Sequence, residues 1–278
     1  MSASLRIRNL TESDLAFADR VRAQAGWNQT LADWRRLIEL APTGCFVAEL
    51  DGVLAGTATT TIYGGDELAW IGMVLVDEAA RRRGVGTALL EHCIAYLKKE
   101  RRVRCIKLDA TPAGQPLYEK LGFVAEWGLQ RWQGTSTGDS EPAPESTDQL
   151  SDAAFALDQN AFGADRSELL RSLAAGATSV RCQGSAFGIV RPGSRASYLG
   201  PVVADSWTVA RGLIAGLLDH AVRGEVFWDI PDHQLEAIDW AKAEGFRPQR
   251  ELVRMVLDGK KLDQRPSSIF AIAEPALG

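Results

Sequence analysis

The chain has 278 residues, 46% of them hydrophobic, and a formal net charge of −5. That length suits one or two domains, and the acidic balance argues against nucleic acid or an anionic membrane as the main partner while mildly favouring a cationic substrate. No apolar run reaches the ~18 residues of a membrane span, and the opening Met1-Ser2-Ala3-Ser4-Leu5-Arg6 lacks the apolar centre of a signal peptide, so a cytoplasmic location is expected.

Leu5 to Leu10 alternates as a first strand, and Thr11 with Asp14 three residues later suits a helix start before Leu15, Phe17, Ala18 and Val21. A second helix is expected from Leu31 to Leu40. Phe46 to Leu50 and Val53 to Gly56 flank Asp51-Gly52, a dipeptide that supplies the positive φ of a tight hairpin. A third strand of this meander runs from Glu67 to Val76, and then Arg81-Arg82-Arg83-Gly84-Val85-Gly86-Thr87 opens a helix through Lys98. Two glycines there let the backbone approach an anion, the first-turn N–H groups point at it, and the helix dipole and arginine forks add positive charge. An ordinary polar strand-to-helix turn is the plain alternative for that segment. A strand from Arg104 to Ala110 follows, then Thr111-Pro112-Ala113-Gly114-Gln115-Pro116-Leu117-Tyr118-Glu119-Lys120-Leu121-Gly122-Phe123. Cys45, Cys93, Cys105 and Cys182 have no C-x-x-C spacing and only three histidines accompany them, so neither a disulfide framework nor a metal site is expected.

The pattern R-x-x-G-x-G-T-x-L-L, a strand, then P-L-Y-E-K-L-G-F resembles the GNAT superfamily of coenzyme-A-dependent N-acyltransferases over residues 3–133. The resemblance implies acetyl-CoA as acyl donor. It implies that Arg81, Arg82, Arg83, Gly84, Val85, Gly86 and Thr87 hold the pyrophosphate. The backbone of Met73, Val74, Leu75 and Val76 would hold the pantetheine arm in a cleft beside the strand Cys105 to Asp109 and polarise the thioester oxygen. Tyr118 stands where the family places a tyrosine beside the leaving sulfur, which makes it the expected general acid. Thr111 stands where many members carry asparagine and is expected near the pantetheine amide. Asp66 and Glu67 begin the central strand, where members sometimes place a carboxylate base; Glu67 is the expected base, and a solvated turn is the other reading.

Residues 134–150 contain no large apolar side chain except Leu150 at the boundary, include two prolines, and read as a linker. The segments it separates echo each other. Ile71-Gly72-Met73-Val74-Leu75-Val76-Asp77 faces Leu199-Gly200-Pro201-Val202-Val203-Ala204-Asp205 at an offset that also pairs Gly84 with Gly212 and His92 with His220. After deletions, Lys107-Leu108-Asp109 meets Phe227-Trp228-Asp229, and Leu121-Gly122-Phe123 meets Glu244-Gly245-Phe246. A tandem duplication follows. The expected fold is α/β of the mixed-sheet kind, two GNAT-like copies, each a mostly antiparallel twisted sheet flanked by helices. Residues 1–133 would form the catalytic domain and 151–278 a degenerate one. Val209 falls opposite Arg81, Ile214 opposite Gly86 and Ala241 opposite Tyr118, so the second copy is expected to bind no coenzyme. Completing the acceptor pocket, homodimerisation and stabilising the first half stay open as its roles.

Trp27, Tyr63, Trp70, Tyr198 and Trp228 are candidates for an aromatic acceptor pocket, with core packing as the alternative. Asp229, Asp232 and His233 follow a second-half strand and are candidates to hold an ammonium, whereas His92 and His220 read as structural. The function expected is transfer of an acetyl group from acetyl-CoA to the primary amine of a small molecule, by direct attack in a ternary complex. The alternatives are a coenzyme-A-binding sensor or scaffold without turnover, and a protein lysine acetyltransferase.

Overall fold

Thr11 and Asp14 settle how the chain leaves its first strand, β1 (Leu5–Asn9), in a computed structural model that describes residues 4–136, 149–221 and 223–278. The Thr11 N–H donates to Asp14 Oδ2 at 2.9 Å, closing a capping box, and Arg8 forks onto the same carboxylate at 2.7 and 2.8 Å. Helices α1 (Leu15–Gln24) and α2 (Leu31–Leu40) follow, the second headed by a Thr30–Asp33 box. Asp51 and Gly52, at φ of 54° and 81°, turn β2 (Cys45–Leu50) into β3 (Val53–Tyr63), and β4 (Leu68–Val76) completes the meander. Then come α3 (Val85–Ala95), extended by a π-helical turn at Tyr96–Glu100, β5 (Cys105–Ala110), α4 (Gln115–Lys120) and β6 (Phe123–Ser136).

Strand β6 runs on through Gly134, Thr135 and Ser136, so the first three residues of the expected linker are sheet. Residues 137–148 of that linker lie outside the described residues. The second half repeats the order with α5 (Asp152–Phe162), α6 (Ser167–Ala175), β7 (Ser179–Gln183), β8 (Ala186–Arg191), β9 (Ser197–Val203), α7 (Trp207–Asp219), β10 (Gly224–Pro231), α8 (Leu235–Ala243) and β11 (Arg247–Leu257). A short strand β12 (Ile269–Ala271) follows it.

All twelve strands form one sheet, ordered β1-β2-β3-β4-β5-β11-β6-β10-β9-β8-β7, with β12 on β9. The closing strands of the two halves are exchanged across its centre: β11 pairs with β5 and β6, and β6 pairs with β10. Buried ion pairs hold the exchange. Arg254 on β11 forks onto Asp109 of β5 at 2.9 and 2.9 Å, and Arg131 on β6 forks onto Asp229 of β10 at 2.8 and 2.6 Å. These four residues are repeat equivalents, since Asp109 matches Asp229 and the Phe123–Phe246 match carries Arg131 onto Arg254. Helices cover both faces. Leu89, Leu90 and Cys93 of α3 pack one first-half core, Leu213, Ile214 and Leu217 of α7 pack its second-half counterpart, and α1, α2, α5 and α6 share a core on the opposite face.

Candidate active site

Strands β4 and β5 run parallel but pair only where Leu68, Ala69 and Trp70 meet Cys105, Ile106 and Lys107. Beyond Trp70 they diverge, and the β5-facing edge of β4 is left without a β5 partner. Met73 sits at φ 48° in a bulge opposite β3, its carbonyl held by the Thr57 hydroxyl at 2.9 Å. A cavity of about 220 Å³ opens in this wedge, bounded by Met73, Val74, Leu108, Thr111 and Tyr118. Unpaired strand backbone in such a wedge can accept an extended ligand as an added strand.

Arg82 and Gly84 have φ of 60° and 81°, and the first helical bond of α3 closes only at Ala88 N–H to Gly84 O, 3.0 Å. The N–H groups of Val85, Gly86 and Thr87 are therefore free for an anion. Arg81, half exposed, makes only a 3.5 Å contact with Glu78, and Arg83 a 3.2 Å pair with Asp51. A Cβ on Gly86 would lie 3.5 Å from Val76, ordinary contact, so packing alone does not require glycine there.

Tyr118 reaches the wedge from α4 because Gly114 has no side chain; a Cβ there would lie 2.8 Å from the tyrosine ring. The ring packs edge-on against Phe123, and its hydroxyl has no hydrogen-bond partner among the described residues. Burial pushes the phenol up to about 12, so it is protonated at neutral pH. Glu67 does not join this group. It lines a different cavity with Arg104, Lys261 and Gln264, since six residues of strand at ~3.3 Å each put it roughly 20 Å from Met73. Asp66 stays in the turn beside it, its carbonyl accepting from Arg104 N–H at 2.8 Å.

The other wall is built by the segment 272–278. Trp70 Nε1 donates to Pro275 O at 3.0 Å, Tyr63 donates to Leu277 O at 2.9 Å, and Gly72 lets Ala276 lie against β4. Tyr63 and Trp70 thus anchor this segment instead of facing the cavity. Trp70 does stack on a cation, but it is Arg254, clamped between the Trp70 and Trp127 rings at 4.4 and 4.2 Å. Trp27 lines the cavity, while Tyr198 and Trp228 are buried. Asp229 is locked by Arg131 and the Tyr198 hydroxyl, and Asp232 and His233 lie outside the cavity lining. His92 packs against Phe46, and His220 bonds Gly216 O and Arg181, both structural. Asp109, Arg131 and Arg250 line the cavity and were not singled out from sequence; the Asp109–Asp229 match in the repeat was the available signal.

In the second half the equivalent wedge is closed. Strands β9 and β10 pair only at Ser197–Leu199 against Val226–Trp228, and β12 then enters the gap on β9. Trp228 Nε1 donates to Phe270 O at 3.0 Å and Ile272 N–H to Asp229 O at 3.3 Å. The loop that precedes α3 has no counterpart either, because α7 starts at Trp207, the match of Ala79, and Gly212 lies in helix interior where Gly84 caps α3.

Among the described residues no cluster of His, Cys, Asp or Glu could hold a metal ion, and no helix is long and apolar enough to cross a membrane. Comparison with known proteins matches residues 8–123 to the acetyltransferase (GNAT) family and residues 154–271 to an acetyltransferase (GNAT) domain. The chain is 28% identical over 275 residues to the uncharacterized N-acetyltransferase YitH of Bacillus subtilis (strain 168), covering 93% of each. A crystal structure of a Pyrococcus horikoshii protein assigned as an acetyltransferase superposes with TM-score 0.84 at 26% identity, covering 99% of this chain and 96% of that one. A tandem GNAT protein from the clavulanic acid biosynthesis pathway shares the fold at TM-score 0.61 and 14% identity, over 93% of this chain and 100% of that one.

Proposed function

We propose that this chain, which belongs to the GNAT superfamily and is a GNAT-type N-acetyltransferase with two such domains in tandem, acetylates the primary amine of a small molecule by direct attack in a ternary complex. Family membership carries acetyl-CoA as donor. The observation that carries the rest is the contrast between wedges: one is open and lined by a free tyrosine hydroxyl, the other is filled by β12. Residues 1–133 then bind coenzyme and residues 151–278 do not; the second half instead lends β11 and the segment 272–278 to the acceptor wall. That wall narrows the cavity, which favours a small acceptor over a lysine on a protein surface.

In the reaction, the amine nitrogen bonds to the thioester carbon, the C–S bond breaks, and its electrons go to sulfur. The β4 edge from Met73 to Val76 orients the donor arm, and the Arg81–Thr87 loop takes the pyrophosphate charge. Tyr118 hydrogen-bonds and protonates the leaving sulfur. Burial, which pushes the phenol up to about 12, keeps it protonated and so able to donate to that sulfur. The incoming amine releases its proton to water in the cavity, since the Asp109 carboxylate beneath it is wholly buried with both oxygens taken by Arg254.

Calorimetric titration with acetyl-CoA tests the reading. One equivalent per chain is expected, abolished by Arg81→Ala with Gly86→Val. Two equivalents would overturn the silent second wedge, and none would overturn the proposed function.

A further inference from the structure

Arg250 has no carboxylate within ion-pair distance among the described residues. It lies on β11 directly opposite Arg131, half-buried, and lines the cavity together with Trp27 and Leu252. Its Nε is fully buried with no hydrogen-bond partner, and the guanidinium makes no ion pair among the described residues. Every other charge near it is answered: Arg131 by Asp229, Arg254 by Asp109, and Arg191 by Glu274 and Asp33. Burial, then the neighbouring Arg131, pushes the Arg250 guanidinium down to about 10 against the pull of Asp229, whose oxygens are already bonded to Arg131, and the more distant Arg195, bonded to Gly26 O, pushes it down further. At neutral pH it still carries its full charge.

The repeat shows that the fold does not need this charge. The match that carries Arg131 onto Arg254 carries Trp127 onto Arg250. Around Arg254 that position is an indole stacked at 4.2 Å, whereas around Arg131 it is a second guanidinium. A half-buried charge that lines a cavity without an ion-pair partner is poorly solvated and free to take its counter-ion from a ligand.

Resting on the N-acetyltransferase reading, we propose that the acceptor is an amine that also carries a carboxylate, an amino-acid-like molecule whose carboxylate is gripped by Arg250 while its amine faces the thioester. One unanswered charge fits a monoanion, and the guanidinium fork fits a carboxylate edge. The walls from Trp27, Leu252 and Pro275 would face the apolar part of the acceptor. The whole chain's acidic balance suggested a cationic acceptor; the local charge of this cavity points the other way.

The test uses two bisubstrate analogues, coenzyme A joined through sulfur and a –CH2–CO– group to the nitrogen of glycine, and the same compound with glycinamide. Calorimetry on the full chain should show the carboxylate analogue binding about 10- to 100-fold tighter than the amide, a charged hydrogen-bonded contact's usual worth. In Arg250→Gln the gap should collapse to about twofold, with Arg250→Lys between, and the melting temperature of R250Q should hold or rise, which a structural arginine would not allow. Equal binding of both analogues by the wild type would overturn the carboxylate while leaving the coenzyme site intact. A gap that survives in R250Q would overturn the assignment to Arg250. Failure of both analogues and of acetyl-CoA to bind would remove the N-acetyltransferase reading, and this inference with it.

Discussion

Tyr118→Phe separates chemistry from packing because the structure gives the hydroxyl nothing to do in the fold. The ring keeps its place over Gly114 and against Phe123, and no buried donor or acceptor loses a partner. The stability change should stay within about 0.5 kcal/mol, or about 2 °C in Tm. Acetyl-CoA affinity should hold within about twofold. Turnover should fall about 100-fold, equivalent to ~2.7 kcal/mol of transition-state stabilisation, because a general acid contributes at least that much. Release of coenzyme A thiol, followed with a thiol-reactive chromophore and the fastest amine acceptor, measures kcat. With the phenol pushed up to about 12, the wild-type rate should show no alkaline loss from this group below about pH 11. A mutant with kcat within threefold of wild type would remove Tyr118 from the chemistry. A fall in kcat accompanied by a Tm loss above about 5 °C would mean that the hydroxyl holds the fold, against the geometry.

The exchanged strands make a stability prediction of their own. Arg254→Met leaves the Asp109 carboxylate buried without its partner and should cost about 3–5 kcal/mol in urea unfolding, while Asp109→Leu with Arg254→Met should recover most of it; equal losses would refute the ion pair as the source. The Asp14 carboxyl is held down to about 2, chiefly by its hydrogen bonds from Arg8. The unfolded state, with an aspartate near ~3.9, therefore binds more protons in between, so this contribution is present above about pH 4 and fades as pH falls toward 2. With Arg8 partly exposed, solvent screening leaves roughly 1 kcal/mol, and Asp14→Asn should flatten the stability profile over that window; an unchanged profile would dismiss the pair.

Local patterns were legible where local physics decides. Thr11 with Asp14, Asp51-Gly52, the period of Leu31 to Leu40 and the glycine at 84 each fix a cap, a turn or a helix start within a few residues, and each element lies where its pattern put it. The repeat was equally visible, since it is a property of the letters. Glu67 lies at another cavity because sequence shows that a carboxylate sits at a strand's start but not how far that end lies from the wedge. Trp70, Tyr63 and Asp229 read as ligand-facing types, and they are spent on Arg254, Leu277 and Arg131, partners as far as 214 positions away.

The chain's letters alone determined the family, the glycine turn that opens α3, the place of the tyrosine and the loss of that turn in the second copy, because these are short-range patterns of residue type and spacing. Only the tertiary structure decided that the halves exchange their last strands, that β12 fills one wedge and leaves the other open, and that Arg250 stands unpaired beside Asp109 and Trp27. Those are outcomes of pairing between distant strands, where backbone hydrogen bonds are interchangeable along the chain and buried charge and shape select among the partners.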